Sequence, residues 1–322
     1  MMIETETVLD RRRLRRHVSF WRIAAIVLAL LAVGGMVMSS EAVQSLAEKD
    51  YIARVSITGT VSEDRKQLDL LDKIAEDDKA VALIVFVNTP GGAATGGEAI
   101  YGALRKIADK KPVVGQFGTV AASAGYIVGL GTDYIVSRGN TITGSIGVIA
   151  QWPEFAGILE KVGVKVNEVR SGELKAMPSP FLPLDEKGRV ATQEMVDDSF
   201  LWFLNLVKDR RGIDTATVPG LEKGRIFTGR QALEYKLVDA IGGDDEVRTW
   251  LKEKHKIDKD LKVVDKKPES DSKLGFLGAS HASLREIAAE IVSGATDALA
   301  GSNASNALRL DGLVSVWHPS EN

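Results

Sequence analysis

One serine stands where nucleophilic chemistry is possible: Ser123, among small residues in "GTVAASAGYIVGLGTD" (118–133), at an expected strand-to-helix junction. A serine hydroxyl attacks a carbonyl only if a base takes its proton, and histidine is the usual one. The chain holds four histidines, His17, His255, His281 and His318, and none between Val18 and Lys254. A Ser-His-Asp triad therefore needs the C-terminal tail to fold back into the site, and histidine-based metal sites fall with it. Cysteine is absent altogether, which removes thiol nucleophiles, cysteine metal sites and disulfides. No metal or other cofactor is called for.

A lysine serves instead when desolvation favours its neutral form. Lys175 is the candidate, in "RSGELKAMPSPFLPL" (170–184), where Pro178, Pro180 and Pro183 stiffen the chain and other charges are few. Two glycine turns complete the set. In "NTPGG" (88–92) glycines follow an apolar run and let the backbone approach a ligand, so that N–H groups there hold an oxyanion. In "TITGSIGV" (141–148) Ser145 offers a hydroxyl to a nearby amine. Taken singly, each has a plainer explanation: a small residue that packs, a solvated surface lysine, a simple turn. The carboxylate pairs in "SEDRK" (62–66) and "GGDDE" (242–246) read as solvated turns.

The elements that must position these residues follow from hydrophobic periodicity. "YIARVSITGTV" alternates like a strand, "AVALIVFVNTPGG" reads as a buried strand ending in a glycine turn, and "GGEAIYGALRKIADKK" has helical spacing. The rhythm continues with a strand at "PVVGQFGTV", a helix over 122–130, a strand at "DYIVSR", a helix in "EFAGILEKVG" and a strand at "KVNEVRSG". A long amphipathic helix follows at "TQEMVDDSFLWFLNLVKDRRG". Strands alternating with helices predict a parallel sheet covered by helices, an α/β fold. From about Asp258 the charged "DKDLKVVDKKPESDSK" reads as a linker, and "HASLREIAAEIVSGATDALAG" has helical periodicity.

The N-terminus speaks to location. Arg11, Arg12, Arg13, Arg15 and Arg16 precede an apolar run from Ile23 to Met38, which with its flanks reaches the roughly 20 residues that span a bilayer. The arginines stay in the cytoplasm and the rest of the chain lies outside. The run reads as an uncleaved anchor; a cleavable signal peptide, with Ser40 and Ala42 at the cleavage site, is the competing reading. The expected organisation is a basic N-terminus (1–18), a transmembrane anchor (19–40), a stalk (41–50), a catalytic domain (51–257), and a linker with helical tail (258–322). A net charge of −3 gives no field that would argue for a nucleic-acid partner.

"NTPGG", "VAASAGY", "TITGSIGV", "RSGELKAMPSPFLPL" and "RIFTGRQALEYKLVDAIGG" occur in the order and style of the signal peptide peptidase A family, and the chain resembles that family over roughly 52–254. The resemblance implies a crotonase-like, Clp protease-like fold of superhelical ββα units and a homo-oligomeric ring or dome. It implies Ser123 as nucleophile, Lys175 as general base, Ser145 as the serine that orients the lysine amine, and Gly92, with Gly91, as the oxyanion loop. The intervals of 52 residues from Ser123 to Lys175 and 22 to Ser145 resemble the short form with one catalytic domain. Ala124 departs from a frequent glycine, which is tolerable if φ is negative there. The implied activity is a membrane-bound serine endopeptidase of the bacterial inner membrane, facing the periplasm or exterior, that degrades remnant signal peptides. The alternatives are an acyl-CoA hydratase or isomerase on the same fold, with its glycine loop holding a thioester, and a non-enzymatic membrane scaffold.

Overall fold

The computed structural model describes residues 49–268 and 314–316. The expected anchor (19–40), the segment 281–301 whose periodicity is helical, and His17, His281 and His318 lie outside the described residues. Among the described residues no helix is long and apolar enough to cross a membrane.

Strands β1 (Tyr51–Val61), β2 (Ala80–Ala93), β3 (Val113–Ala122) and β4 (Tyr134–Ser137) pair in parallel. Parallel neighbours need crossovers, supplied by helices α1 (Arg65–Glu76), α2 (Ala94–Ala108) and α3 (Ala124–Leu130). Past β4, the short β5 (Ile142–Gly144) takes over the edge of β3, and β6 (Ile226–Thr228) pairs antiparallel with β5. Helix α4 (Ala156–Lys161) and the long α5 (Glu186–Arg211) lie between β5 and β6 in the chain. Helix α6 (Gly229–Glu234), β7 (Ala240–Ile241) beside β4, and α7 (Asp244–His255) follow.

Why β2 is apolar from Ala80 to Val87 is clear from the two faces of the sheet. Ala53, Val55, Leu83, Val85 and Val87 point into the core shared with α1, α2, α3 and α5, while Ile52, Ala82 and Ile84 pack against Val247 and Leu251 of α7. Each such Val, Leu or Ile side chain contributes about 1.5–3 kcal/mol of hydrophobic stabilisation. Helix α5 ends at Gly212, whose φ of 62° continues from a backbone bond to Lys208, the left-handed cap that glycine adopts without a Cβ clash.

Several expectations change. "NTPGG" is not a turn: β2 runs through it to Ala93, because Thr60 and Val61 of β1 pair with Gly91 and Gly92. Residues 165–172 form no strand; they find no ladder partner among the described residues, and Val169 is fully exposed. The helix expected over 122–130 begins at Ala124, since β3 extends through Ala122. The charged segment after Asp258 contains β8 (Val263–Asp265), a parallel edge strand on Ile52–Arg54. Neither carboxylate pair is a bare solvated turn. Asp64 accepts from the Lys66 N–H and caps α1, a helix that periodicity passed over; Asp244 opens α7 and accepts from Gln116 Nε2 at 2.7 Å and from Arg54 at 3.2 Å. A final strand, β9 (Val314–Val316), pairs antiparallel with Gly91–Ala93 of β2.

Candidate active site

Ser123 sits between β3 and α3 with φ 57° and ψ −121°, a region that L-residues enter at a cost of order 1–3 kcal/mol and that clusters at functional sites. Position explains how it is held there. The Ser123 N–H donates to Gly144 O at 2.9 Å, Ala122 pairs with Gly144, and the Thr143 hydroxyl donates to Ala121 O at 2.6 Å. Ser123 makes no side-chain cap to α3. A strained serine at a sharp strand-to-helix turn is the geometry of a nucleophile elbow. Ala124 is the first helical residue, so the positive φ falls on the serine and not on the alanine. The Ala124 side chain is buried under α2, where a Cβ on Gly97 would lie 3.4 Å from it, and it does not border open space.

The same register carries Ser145 to Ser123. Ser145 follows Gly144 with φ 51°, and its N–H donates to Arg225 O at 3.0 Å. Both serines line a cavity of about 390 Å³, although Ser123 is only 1% exposed to bulk solvent. The opposite wall comes from α5, through Gln193, Val196, Asp197 and Phe200. Val196 and Phe200 continue the apolar stripe of Phe203 and Val207, which are buried in the core. That stripe was legible as helical periodicity, but nothing in its spacing showed that its first half would border a site.

The glycine segment reaches the same end of the sheet. Thr89 pairs with Ala121, so Gly91 lies two residues beyond that pair on β2, as Ser123 does on β3, and Gly92 one further. Asn88 Oδ1 accepts from the Thr119 and Val120 N–H groups at 3.0 and 3.1 Å, bridging the register shift between β2 and β3. Thr89, fully buried, donates its hydroxyl to Gly59 O and accepts the Gly91 N–H at 3.1 Å. Gly91, at φ 121°, thus spends its N–H on Thr89, and Gly92 is the residue whose close packing matters: a Cβ there would lie 2.1 Å from Val61 O. Thr89 also explains Gly125, where a Cβ would meet the threonine Cγ2 at 2.6 Å. Sequence reasoning missed Asn88 and Thr89 as positioning residues; their polarity at the end of an apolar run was the available signal.

Helix α3 is locked from behind. Tyr126, fully buried, donates its hydroxyl to Leu237 O at 2.7 Å. Burial pushes its phenol pKa well up, against the opposing pull of Arg211 and with a further push from Asp239. Arg211 donates from two guanidinium nitrogens to the two Asp239 oxygens at 3.0 and 2.8 Å, and Asp239 also accepts the Ile135 N–H at 2.7 Å. Desolvation works against the Arg211 charge, yet the Asp239 hydrogen bond prevails and raises its pKa.

Lys175 is placed elsewhere. It lies in a loop, its N–H bonded to Gly172 O, exposed, and it does not line the cavity of Ser123 and Ser145. The structure of one chain therefore brings together Ser123, Ser145, Gly91 and Gly92, and leaves Lys175 outside. In the same stretch of chain, 158–181, Ile158, Val162, Val164, Val169, Leu174 and Phe181 are exposed apolar side chains. Among the described residues no group of three or more acidic, histidine or cysteine side chains could hold a metal ion.

Comparison with known proteins gives the same region. Residues 105–258 match the family model of Peptidase family S49, and residues 26–138 match that of Clp protease, in keeping with a mixed α/β, Clp protease-like fold. The chain is 37% identical over 200 residues to a protein of Synechocystis assigned as a protease, covering 62% of this chain and 72% of that one. It is 34% identical over 254 residues to a protein of Enterococcus faecium assigned as signal peptide peptidase SppA, covering 74% of this chain and 73% of that one. Protease 4 of Haemophilus influenzae is 33% identical over 68% of this chain and 33% of its own length.

Proposed function

Because this chain belongs to peptidase family S49, the signal peptide peptidase A family, and is a serine-type peptidase, we propose that it is a Ser–Lys endopeptidase with Ser123 as nucleophile and Lys175 as general base. The observation that carries the reading is the strained Ser123 backbone in the lining of a cavity it shares with Ser145, near the Gly91–Gly92 end of β2.

In this mechanism neutral Lys175 takes the Ser123 proton as Oγ attacks a peptide carbonyl, and the backbone at Gly92 stabilises the oxyanion. The protonated lysine then gives its proton to the leaving amine, and water, activated by the same amine, releases the acyl group. Ser145 directs the amine toward Oγ. Lys175 is exposed in one chain, in a stretch (158–181) that carries six exposed apolar side chains, and soluble surfaces rarely carry such patches unless a partner covers them. Assembly into a homo-oligomer covers this arm and supplies the desolvation and approach that a lysine base requires.

The remaining parts of the reading come from the sequence. Residues 19–40 anchor the chain in the bacterial inner membrane with residues 51–257 as an outward-facing catalytic domain, and 258–322 as its C-terminal extension. The substrates are extended apolar peptides, the remnants of signal peptides. The test is hydrolysis of such a peptide by the purified full chain with Ser123→Ala and Lys175→Ala variants. Each variant loses hydrolysis while keeping its oligomeric size; substantial hydrolysis by either one overturns the assignment.

A further inference from the structure

The cavity at Ser123 has apolar and charged lining, and helix α5 sets them in order. Gln193, Asp197 and Phe200 follow one another on one face of that helix, as residues three and four apart do. Polarity along the face rises with distance from the core: Phe203 is fully buried, Phe200 and Val196 are half-buried, and Asp197 and Gln193 are exposed. Ile146 and Val148, which follow Ser145 in the chain, add further apolar lining.

Three charged residues border the cavity, Asp197, Glu222 and Lys223, so the acids outnumber the base by one. Gln193 Nε2 donates to Asp197 Oδ1 at 2.7 Å, which holds the carboxylate and leaves Oδ2 to accept from another donor. Glu222 Oε1 already accepts from the Thr215 hydroxyl at 2.9 Å. When Ser123 Oγ bonds to the carbonyl carbon under attack, the side chain on the acyl side of the scissile bond is held close to the serine. The space that Ser123 borders is where that side chain falls. A side chain with an aliphatic stem and a cationic head matches this lining, its stem against Phe200 and Val196 and its head at Asp197.

We propose that this cavity receives a lysine or arginine side chain on the acyl side of the cut bond, with Asp197 as the residue that selects it. The inference deepens, and rests on, the reading of Ser123 as the nucleophile of a peptidase. The substrates of that reading carry a basic segment directly before an apolar one. This preference places a cut where the two meet.

The test uses two peptides that differ only at the acyl-side residue, lysine in one and norleucine in the other, which keeps the stem and lacks the ammonium. One hydrogen bond between charged groups discriminates by about ten-fold. In the purified full chain the expected ratio of kcat/KM, lysine over norleucine, is therefore about 10. It falls to about 1 in Asp197→Asn, is restored in Asp197→Glu, and rises above the unsubstituted value in Lys223→Ala, which removes a like charge. Each ratio is internal to one protein, so a general loss of activity does not move it. A ratio near 1 in the unsubstituted chain, an unchanged ratio in Asp197→Asn or a lower one in Lys223→Ala overturns the proposal, while hydrolysis of the norleucine peptide leaves the peptidase reading standing. If neither peptide is hydrolysed the peptidase reading fails, and binding still decides the pocket. Fluorescence anisotropy of the labelled peptides then shows tighter binding of the lysine peptide, lost in Asp197→Asn; equal affinities refute the proposal.

Discussion

A methyl group at Gly92 has nowhere to go. Built on the existing backbone it would stand 2.1 Å from Val61 O and 2.5 Å from Val61 N, both main-chain atoms of the paired strand. Ordinary contacts need about 3.5 Å, so β1 and the end of β2 must part by about 1 Å or more. Overpacking of this kind costs about 1–3 kcal/mol of stability, which a domain with so extensive a core survives. The catalytic cost is larger in effect, because a displacement of about 1 Å at a positioning element lowers rate about 100-fold, equivalent to about 2.7 kcal/mol of transition-state stabilisation. Gly92→Ala is therefore expected to fold, to keep KM within a small factor, and to lose about 100-fold in kcat. Gly102→Ala is the matched control: it lies in α2, where an added methyl would meet no atom within 4 Å, and it should gain about 0.5–1 kcal/mol in stability with activity unchanged. Thermal unfolding and steady-state peptide hydrolysis of the two variants together make the assay. A folded Gly92→Ala protein with near wild-type kcat would refute the placement of the oxyanion at this strand end.

Four further outcomes follow from the same structure. Lys175→Arg keeps the positive charge but cannot supply a neutral amine, so it should be as inactive as Lys175→Ala; recovery of hydrolysis by the arginine would show that charge alone suffices. Val162→Asp with Val169→Asp places charge on the exposed apolar arm and should lower both the sedimenting mass and the activity, whereas an unchanged mass would separate this arm from assembly. Arg211→Ala leaves Asp239 partly buried without its bidentate partner, and a loss of about 2–4 kcal/mol is expected in chemical unfolding; a loss below about 0.5 kcal/mol would show that the pair does not hold α3 and α5. The acid limb of stability belongs in part to Asp77 and Asp244. Desolvation raises the pKa of each, but hydrogen bonds from Tyr51 and the Lys79 N–H to Asp77, and from Gln116 and Arg54 to Asp244, outweigh it and leave both below the usual carboxylate value. Their stabilisation is present above the unfolded value of about 3.9 and is lost as pH falls through the lower folded values. An Asp77→Asn, Asp244→Asn double variant should therefore lose stability at neutral pH and show a shallower decline below about pH 4; an identical decline in the two proteins would contradict the assignment.

What could be read in the sequence was whatever short-range pattern encodes. The alternation of β1 and the 3.6-residue spacing of α2 and α5 announced themselves, and so did the apolar run of β2, because burial on both sheet faces leaves few polar positions there. Ser123 drew attention from its small-residue junction in a core without histidine or cysteine, and its role as nucleophile came from the family resemblance. What stayed hidden depends on partners distant in the chain. "NTPGG" looks like a turn until Thr60 and Val61 arrive to pair with its glycines. The strand expected at 165–172 has strand-like residues and no ladder to join among the described residues. Helix α1 was missed although Leu68, Leu71, Ile74 and Ala75 fall at helical spacing among its charges, and its start depends on the Asp64 cap. Thr89 looked like one more residue of a loop, and only coordinates show it fastening Gly59 and Gly91 at once. The relation of Lys175 to Ser123 is not encoded in spacing at all.

The most direct test is covalent. The purified full-length chain is treated with a peptidyl phosphonate that reacts only with activated serines, digested, and the labelled residue located by mass spectrometry. The account predicts modification of Ser123 that disappears in the Lys175→Ala protein. Label on another serine, or undiminished label on Ser123 without Lys175, would contradict it.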